Sequence, residues 1–205
     1  RGPVPYGLWG YKEDLTQYRH DLEKAKELLR KAGYPGGGFK LLLTYAAGDE
    51  NERRVAELFK AELARLNIEL EIRGMPWESQ WDLAKSPNPK DRQDIFLFYW
   101  WPDYADPYSF LLNMFHSEEE IVFNLCYYSN PTYDKLINDA HAISGANRSK
   151  AIEMYGKAQE ILVEDAVALF IYDQQYVRAY RRHLQGYQDN PAYPHVVFFH
   201  DCYKE

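Results

Sequence analysis

The stretch YWWPDYADPYSF, residues 99–110, brings together residue types that suit a small-ligand site. Trp100 and Trp101 supply flat apolar faces, and Asp103 follows them with a carboxylate. A carboxylate beside aromatic rings can hold an ammonium group through charge-assisted hydrogen bonds and cation–π attraction. The loop therefore predicts a binding site for a cationic or amphipathic small molecule, with Asp103 as its anchor.

A second acid, Asp106, lies three residues after Asp103 and suggests the carboxylate pair of a glycosidase. Both acids fall in one short loop with two prolines, however, where aspartate commonly serves turns and helix caps. Asp106 is followed by Pro107, which is the pattern of an N-cap and a first helical residue. We expect Asp106 to be structural, and the pair gives little support to catalysis.

No other pattern in the sequence indicates an enzyme or a cofactor. The chain has no GxSxG, GxxxxGK or GxGxxG motif, and its 6 histidines, His195 and His200 among them, show no HExxH spacing. Cys126 and Cys202 fit neither a metal site nor a disulfide framework. They could pair in an oxidising compartment or remain buried free thiols. We therefore expect no metal, no cofactor and no catalysis.

Composition and charge argue against further classes. The chain has 24 basic and 31 acidic residues, a net charge of −7 and no basic tract, so a nucleic acid is not an expected partner. No apolar run approaches the roughly 20 residues that span a bilayer. The chain begins with RGPVPYGLWGY, without Met or an apolar leader, so we expect an excised piece or a processed form.

Hydrophobic periodicity indicates the elements that must position the aromatic loop. Helices are predicted at six places, the first with Asp21 as its N-cap: residues 22–32, 50–66, 77–85, 107–115, 131–143 and 149–164. Strands are predicted at five places: residues 39–45, 68–72, 94–99, 167–172 and 196–200. The alternation of strand and helix in the first half is typical of a parallel α/β sheet with helices on its faces.

This order places the loops that leave the first three strands at one edge of the sheet. Ligands of open α/β sheets bind at the carboxyl ends of the strands. We therefore expect one binding edge that gathers the aromatic and acidic residues of these loops: Asp49, Trp77, Trp100, Trp101, Asp103 and Asp106. Because neighbouring residues at a strand end face opposite ways, one of Trp100 and Trp101 should be buried and the other should line the cleft.

The segment HDLEKAKELLRKAGYP, residues 20–35, resembles the YDPEKAKxLLxEAGYP signature of family 5 extracellular solute-binding proteins. These are the peptide, dipeptide and nickel receptors of ABC importers. Further segments resemble the family in its own order: GPVPYGLWGY, LNIELEIRGMPWESQWD, DIFLFYWWPDYADPYSFL and YSNPTYDKLINDA. The resemblance covers nearly the whole chain.

The resemblance implies a fold and a domain organisation. The chain is similar to the C-terminal part of a longer two-lobed receptor, a lobe of the type II periplasmic-binding-protein-like fold. Residues 1–174 would form the C-terminal ligand-binding lobe. Residues 175–205 would cross back to an N-terminal lobe that the 205 residues do not contain.

It also implies a function without catalysis. The protein would be the substrate-binding component of an ABC importer, periplasmic or extracellular and free or anchored as a lipoprotein, with the importer's permease as partner. Trp100 and Asp103 match the family's W-x-x-D motif, whose Asp holds the α-ammonium of a bound peptide. Leu97 stands where some oligopeptide receptors have an Arg for the ligand carboxylate. Trp101, Trp77 and Asp49 would border the pocket.

Two alternatives remain at this point. An oligosaccharide receptor of the same fold would use the tryptophans for stacking and Asp103 for sugar hydroxyls. A glycoside hydrolase would need a second carboxylate that faces Asp103 across a cleft. Nickel or haem carriage, which the family also includes, lacks a histidine cluster here.

Overall fold

The computed structural model describes residues 1–190, 193 and 196–205, so His195 lies outside the described residues. The chain forms two units, which we name by their content. The sheet unit is Tyr18–Tyr99, and the helical unit consists of Arg1–Gln17 with Trp100–Glu205. The proposed division at residue 174 stays a prediction.

The sheet unit is built on three parallel strands in the order β2-β1-β3. β1 is Lys40–Ala46, β2 is Glu69–Met75 and β3 is Ile95–Phe96. Leu43 of β1 and Leu70 of β2 are buried, and they pack in one cluster with Ala56 of the helix that connects the two strands. The predicted parallel sheet is thus confirmed, although β3 is shorter than the predicted strand at residues 94–99.

Three helices accompany the sheet: α1 at Leu22–Lys31, α2 at Glu50–Ala64 and α3 at Trp77–Ala84. A short 3₁₀ helix at Pro89–Asp91 precedes β3. Asp21 caps α1 as predicted, since its carboxylate accepts a hydrogen bond from the Lys24 N–H at 2.9 Å. Gly33 ends this helix with a φ of 91°, a conformation that favours glycine.

The helical unit contains three longer elements, α4 at Pro107–Phe115, α5 at Pro131–Ser144 and α6 at Arg148–Glu164. All three agree with the predicted helices to within one residue at each end. Side chains of the three helices form one buried cluster with Val4 of the N-terminal segment: Leu111, Phe115, Tyr133, Ile137, Ala140, Ala151, Tyr155, Ala158 and Leu162. The Tyr133 hydroxyl donates to the Leu111 carbonyl at 2.7 Å, which ties α5 to α4.

The predicted strands at 167–172 and 196–200 are wrong. Residues 167–172 have no regular structure, and the second region contains a 3₁₀ helix at Phe199–Asp201. Two strands of two residues each, β4 at Leu184–Gln185 and β5 at Tyr203–Lys204, pair with each other instead. A strand needs a hydrogen-bonding neighbour, and no strand in the described part of the chain pairs with residues 167–172.

Neither cysteine is a fully buried residue, although burial of the thiol raises the pKa of Cys126. Cys126 and Cys202 are both free; Cys126 is exposed and Cys202 is half-buried. The predicted alternatives were a disulfide or two buried thiols, and the structure contains neither.

Candidate functional site

Asp103 is held by two side chains of α4. The Ser109 hydroxyl accepts a hydrogen bond from the Asp103 N–H at 2.8 Å and donates to the Asp103 Oδ2 at 3.2 Å. The Asn113 amide donates to the same Oδ2 at 2.7 Å. The side chain of Asp103 nevertheless remains exposed. The predicted anchor is therefore a fixed carboxylate that reaches solvent.

The two Asp103 oxygens have different surroundings. Oδ2 accepts the bonds from Ser109 and Asn113, whereas Oδ1 has no hydrogen-bond partner among the described residues. No Lys, Arg or His in the described part of the chain forms an ion pair with this carboxylate. A ligand cation that approached Oδ1 would meet a negative charge that no cation of the described residues neutralises.

Asp106 has the structural role that the sequence predicted. Its carboxylate accepts a hydrogen bond from the Tyr108 N–H at 2.9 Å and caps α4, with Pro107 in the first turn. This bond satisfies one of the free N–H groups at the start of the helix. The two acids of the loop therefore differ in use, because Asp106 serves the helix and Asp103 faces solvent.

The two tryptophans differ in exposure, but neither is fully buried, so the expectation of one buried tryptophan is not met. Trp100 is half-buried and packs edge-to-face on Phe123 with ring centroids 5.4 Å apart. Its Nε1 is buried and has no hydrogen-bond partner among the described residues. Trp101 is 42% exposed, and its Nε1 donates to the Tyr176 hydroxyl at 3.3 Å. Trp101 thus offers the more accessible aromatic surface.

Phe123 belongs to an irregular loop, residues 116–129, that sequence reasoning did not connect with the site. Glu118 organises the loop, since its Oε2 accepts hydrogen bonds from the N–H groups of Val122, Phe123 and Asn124 at 2.8, 3.2 and 3.1 Å. The buried Asn124 side chain donates to the carbonyls of His116 and Tyr128. No short sequence motif predicts this arrangement, because each hydrogen bond depends on how the loop folds.

The sheet unit contains the other two predicted residues, Asp49 and Trp77, directly after β1 and β2. Asp49 caps α2 by accepting hydrogen bonds from the N–H groups of Asn51 and Glu52, both at 2.9 Å. Trp77 is 40% exposed and packs in an aromatic cluster, 5.2 Å from the Trp81 ring, 5.6 Å from Phe96 and 6.0 Å from Phe98. A ligand role for either residue stays a prediction.

Glu52 is a buried acid that sequence reasoning missed. It is 5% exposed, and its Oε2 accepts a hydrogen bond from the Ala46 N–H at 2.7 Å, at the carboxyl end of β1. Burial raises the pKa of the Glu52 carboxyl to about 7, and the nearby negative charge of Asp49 acts in the same direction. The sequence feature that indicates its burial is its spacing from Ala56 and Phe59, which places Glu52 on the inner face of α2.

Two kinds of feature are absent from the described residues. No group of three or more His, Cys, Asp or Glu side chains there could hold a metal ion. Within the same part of the chain, no helix is both long and apolar enough to cross a membrane.

Comparison with known families identifies the chain. Residues 1–120 match the model of bacterial extracellular solute-binding proteins, family 5 Middle. The chain belongs to this family. Because family 5 consists of solute-binding proteins and not of enzymes, the expectation of a non-catalytic protein is confirmed.

Individual relatives agree with this assignment. The chain is 29% identical over 197 residues to the probable D,D-dipeptide-binding periplasmic protein DdpA of Escherichia coli, strain K12. The aligned region covers 96% of this chain and 37% of DdpA. It is also 29% identical to the solved periplasmic binding protein DppA of Helicobacter pylori in complex with the peptide STSA, with a TM-score of 0.71 over 81% of this chain and 31% of that one.

A third comparison concerns the fold alone. The clavulanic acid biosynthesis oligopeptide binding protein 2 is 21% identical, with a TM-score of 0.83 over 99% of this chain and 38% of that one. The predicted periplasmic-binding-protein-like fold is therefore confirmed. The match with this family 5 chain spans between 31% and 38% of the length of these three relatives.

Proposed function

We propose that this family 5 chain is part of the substrate-binding component of an ABC importer and that it binds a peptide-like solute through Asp103. The observation that carries the proposal is the exposed carboxylate with one oxygen held by Ser109 and Asn113 and the other without a hydrogen-bond partner among the described residues. An α-ammonium group supplies the positive charge and the N–H donors that this oxygen lacks. Trp100 and Trp101, in the same loop, would provide the aromatic walls.

The relatives support a peptide-like ligand. DdpA is described as binding D,D-dipeptides, and the Helicobacter pylori DppA was solved with a tetrapeptide. Peptides of different sequence share an α-ammonium and a main chain, so one carboxylate anchor can serve a receptor of broad specificity. We propose the same ligand class for this chain.

The short coverage of the relatives supports a longer, two-lobed receptor. In our proposal residues 1–174 form the C-terminal lobe, and residues 175–205 cross to an N-terminal lobe. Several apolar side chains in and just before this segment are exposed, with Val177 at 90% and Leu169, Ile171 and Phe199 also exposed. Burial of such side chains by another lobe would be favourable, at about 25 cal/mol per Å². The lobes would close on the ligand about a hinge.

Location and partners follow from the same proposal. The receptor would work in the periplasm or outside the cell, either free or anchored as a lipoprotein, and deliver its solute to the membrane permease of the importer. Its relatives include proteins described as periplasmic.

The proposal is tested by calorimetry on the longest natural form of the protein, with a free dipeptide and its N-acetylated form as ligands. The variant Asp103→Asn should bind the free dipeptide about 10- to 100-fold more weakly, because a hydrogen bond to a charged group contributes roughly 1.5–3 kcal/mol. Asp82→Asn, an exposed acid of α3, is the control and should bind like the wild type.

Two results would contradict the amine role. One is unchanged affinity of Asp103→Asn for the free dipeptide, and the other is equal binding of the free and acetylated dipeptides by the wild type. Cello- and xylo-oligosaccharides belong in the same series, since the exposed faces of Trp101 and Trp77 would also suit sugar stacking. Stabilisation by these sugars and not by peptides would favour the oligosaccharide receptor.

A further inference from the structure

We propose that Ser109 and Asn113 are positioning residues for the ligand amine, which act through Asp103 and select a cationic over a neutral ligand group. The inference rests on the proposed function and adds two residues to it. Neither residue would touch the ligand's charge directly. They determine which Asp103 oxygen faces the ligand, and they leave the negative charge of Asp103 unneutralised.

The geometry of α4 makes this role possible. Ser109 and Asn113 are four residues apart, so they lie one turn apart on the same face of the helix. Ser109 is only 1% exposed, and its hydroxyl contacts both the main chain and the carboxylate of Asp103, at 2.8 and 3.2 Å. Asn113 adds the bond of 2.7 Å. The bond from the Asp103 N–H to Ser109 therefore fixes the main chain of the loop, and the bonds from Ser109 and Asn113 to Oδ2 fix the side-chain rotamer of Asp103.

The helix that presents the two residues is itself held in place. Asp106 caps its first turn, and Phe110, Leu111 and Phe115 are buried on its other positions. A positioning group must be mounted on a rigid element, because a displacement of a few tenths of an ångström weakens a hydrogen bond. α4 meets this condition, and its Ser109 and Asn113 side chains join the loop that contains Asp103 to it.

The chemistry of the two donors explains the preference for a cation. A hydroxyl and an amide orient a carboxylate without neutralising it, whereas a Lys or Arg at either position would supply the positive charge itself. Both donors use Oδ2, so Oδ1 is left to the ligand. Since the rotamer is already ordered, binding loses little side-chain entropy at this residue. A neutral donor on the ligand would leave the charge of Asp103 uncompensated.

The test compares free and N-acetylated dipeptide on variants of the longest natural form of the protein. Ser109→Ala and Asn113→Ala should each weaken binding of the free dipeptide about 5- to 20-fold. Neither should change the affinity for the acetylated dipeptide, which lacks the cation.

A matched control separates positioning from a loss of stability. Met114 lies on the same helix and packs against the buried cluster of the helical unit without contacting Asp103. Met114→Ala should lower the melting temperature but keep the wild-type preference for the free dipeptide. The two positioning variants should lose that preference at a melting temperature no lower than that of Met114→Ala.

The failures of the two proposals are distinguishable. If the wild type prefers the free dipeptide and both alanine variants keep that preference within twofold, the positioning role is overturned and the proposed function stands. Equal losses of affinity for the free and the acetylated dipeptide would also overturn the positioning role, because they would indicate a general distortion of the binding site. If the wild type itself shows no preference for the free amine, the amine role of Asp103 is refuted and the positioning role with it.

Discussion

At the scale of single residues, the site depends on carboxylates whose surroundings differ. Asp103 is exposed and bonded through one oxygen, Asp106 caps a helix, and Glu52 is buried. The three environments differ in what they allow: Asp103 is open to the proposed ligand, Asp106 supports local structure, and Glu52 makes a pH-dependent contribution to stability. The residue type is similar in all three cases, so the use is decided by burial and hydrogen bonding.

Glu52 makes the stability of the protein depend on pH. Its pKa is about 7 in the folded protein and near 4.5 when the side chain is solvated. The folded state therefore binds this proton more tightly than the unfolded chain, and the free energy of unfolding falls as the pH rises from about 4.5 through 7. Glu52→Gln removes this titration and should be more stable than the wild type at pH 8, by roughly 1–3 kcal/mol.

Urea denaturation at pH 5 and pH 8 measures this effect. At pH 5 the two proteins should be close in stability, since Glu52 is then mostly protonated and Gln keeps an acceptor for the Ala46 N–H. Glu57→Gln, at an exposed position of the same helix, serves as the control. A Glu52→Gln protein with the same pH dependence as the wild type would show that Glu52 does not titrate in this range.

At the scale of elements, α4 links the aromatic loop to the core of the helical unit. Its N-terminal cap is Asp106, its solvent side carries Asn113 and its inner side buries Leu111 and Phe115. The apolar side fixes the helix, and the fixed helix in turn fixes Ser109 and Asn113 against Asp103. Removal of the Asp106 cap should therefore lower the free energy of unfolding.

Asp106→Ala should lower the free energy of unfolding by about 1 kcal/mol, because it leaves the Tyr108 N–H without its cap. Asp106→Asn should recover most of this loss, since Asn is as good an N-cap as Asp. Thermal and urea denaturation of the three proteins measure the difference. If both variants lost the same amount, the charge of Asp106 and not its capping bond would be responsible.

At the scale of the whole molecule, the chain covers 37% of DdpA, and exposed apolar side chains lie in its C-terminal segment. Both observations fit a lobe of a longer receptor in which part of the binding surface comes from elsewhere. A carboxylate anchor alone contributes a modest share of the affinity for a peptide, because main-chain pairing and burial of the ligand require an opposing wall.

The 205-residue chain alone should therefore bind a free dipeptide at least about tenfold more weakly than the longest natural form of the protein. Calorimetry of the two proteins under identical conditions provides the comparison, with circular dichroism to establish that the shorter chain is folded. Equal affinities would indicate that the chain contains the complete site, and the proposed two-lobed cleft would then be wrong.

Local patterns determined much of the fold from the sequence. The apolar stripes of α5 and α6, the caps at Asp21 and Asp106 and the alternation of strand and helix in the sheet unit all act over a few residues. Such features depend on neighbours that the sequence itself places close together. The strand predicted at residues 167–172 failed because pairing depends on a partner that no local pattern specifies.

For the candidate site, the sequence by itself predicted an aromatic pair with the acid Asp103, whose ligand role stays a prediction, and a capping acid, Asp106, which the structure confirms. Only the tertiary structure decided that Ser109 and Asn113 hold one oxygen of Asp103, that Phe123 packs on Trp100 and that Glu52 is buried. The physical reason is that residue type fixes charge and shape, whereas burial and hydrogen-bond partners arise only when distant segments pack together.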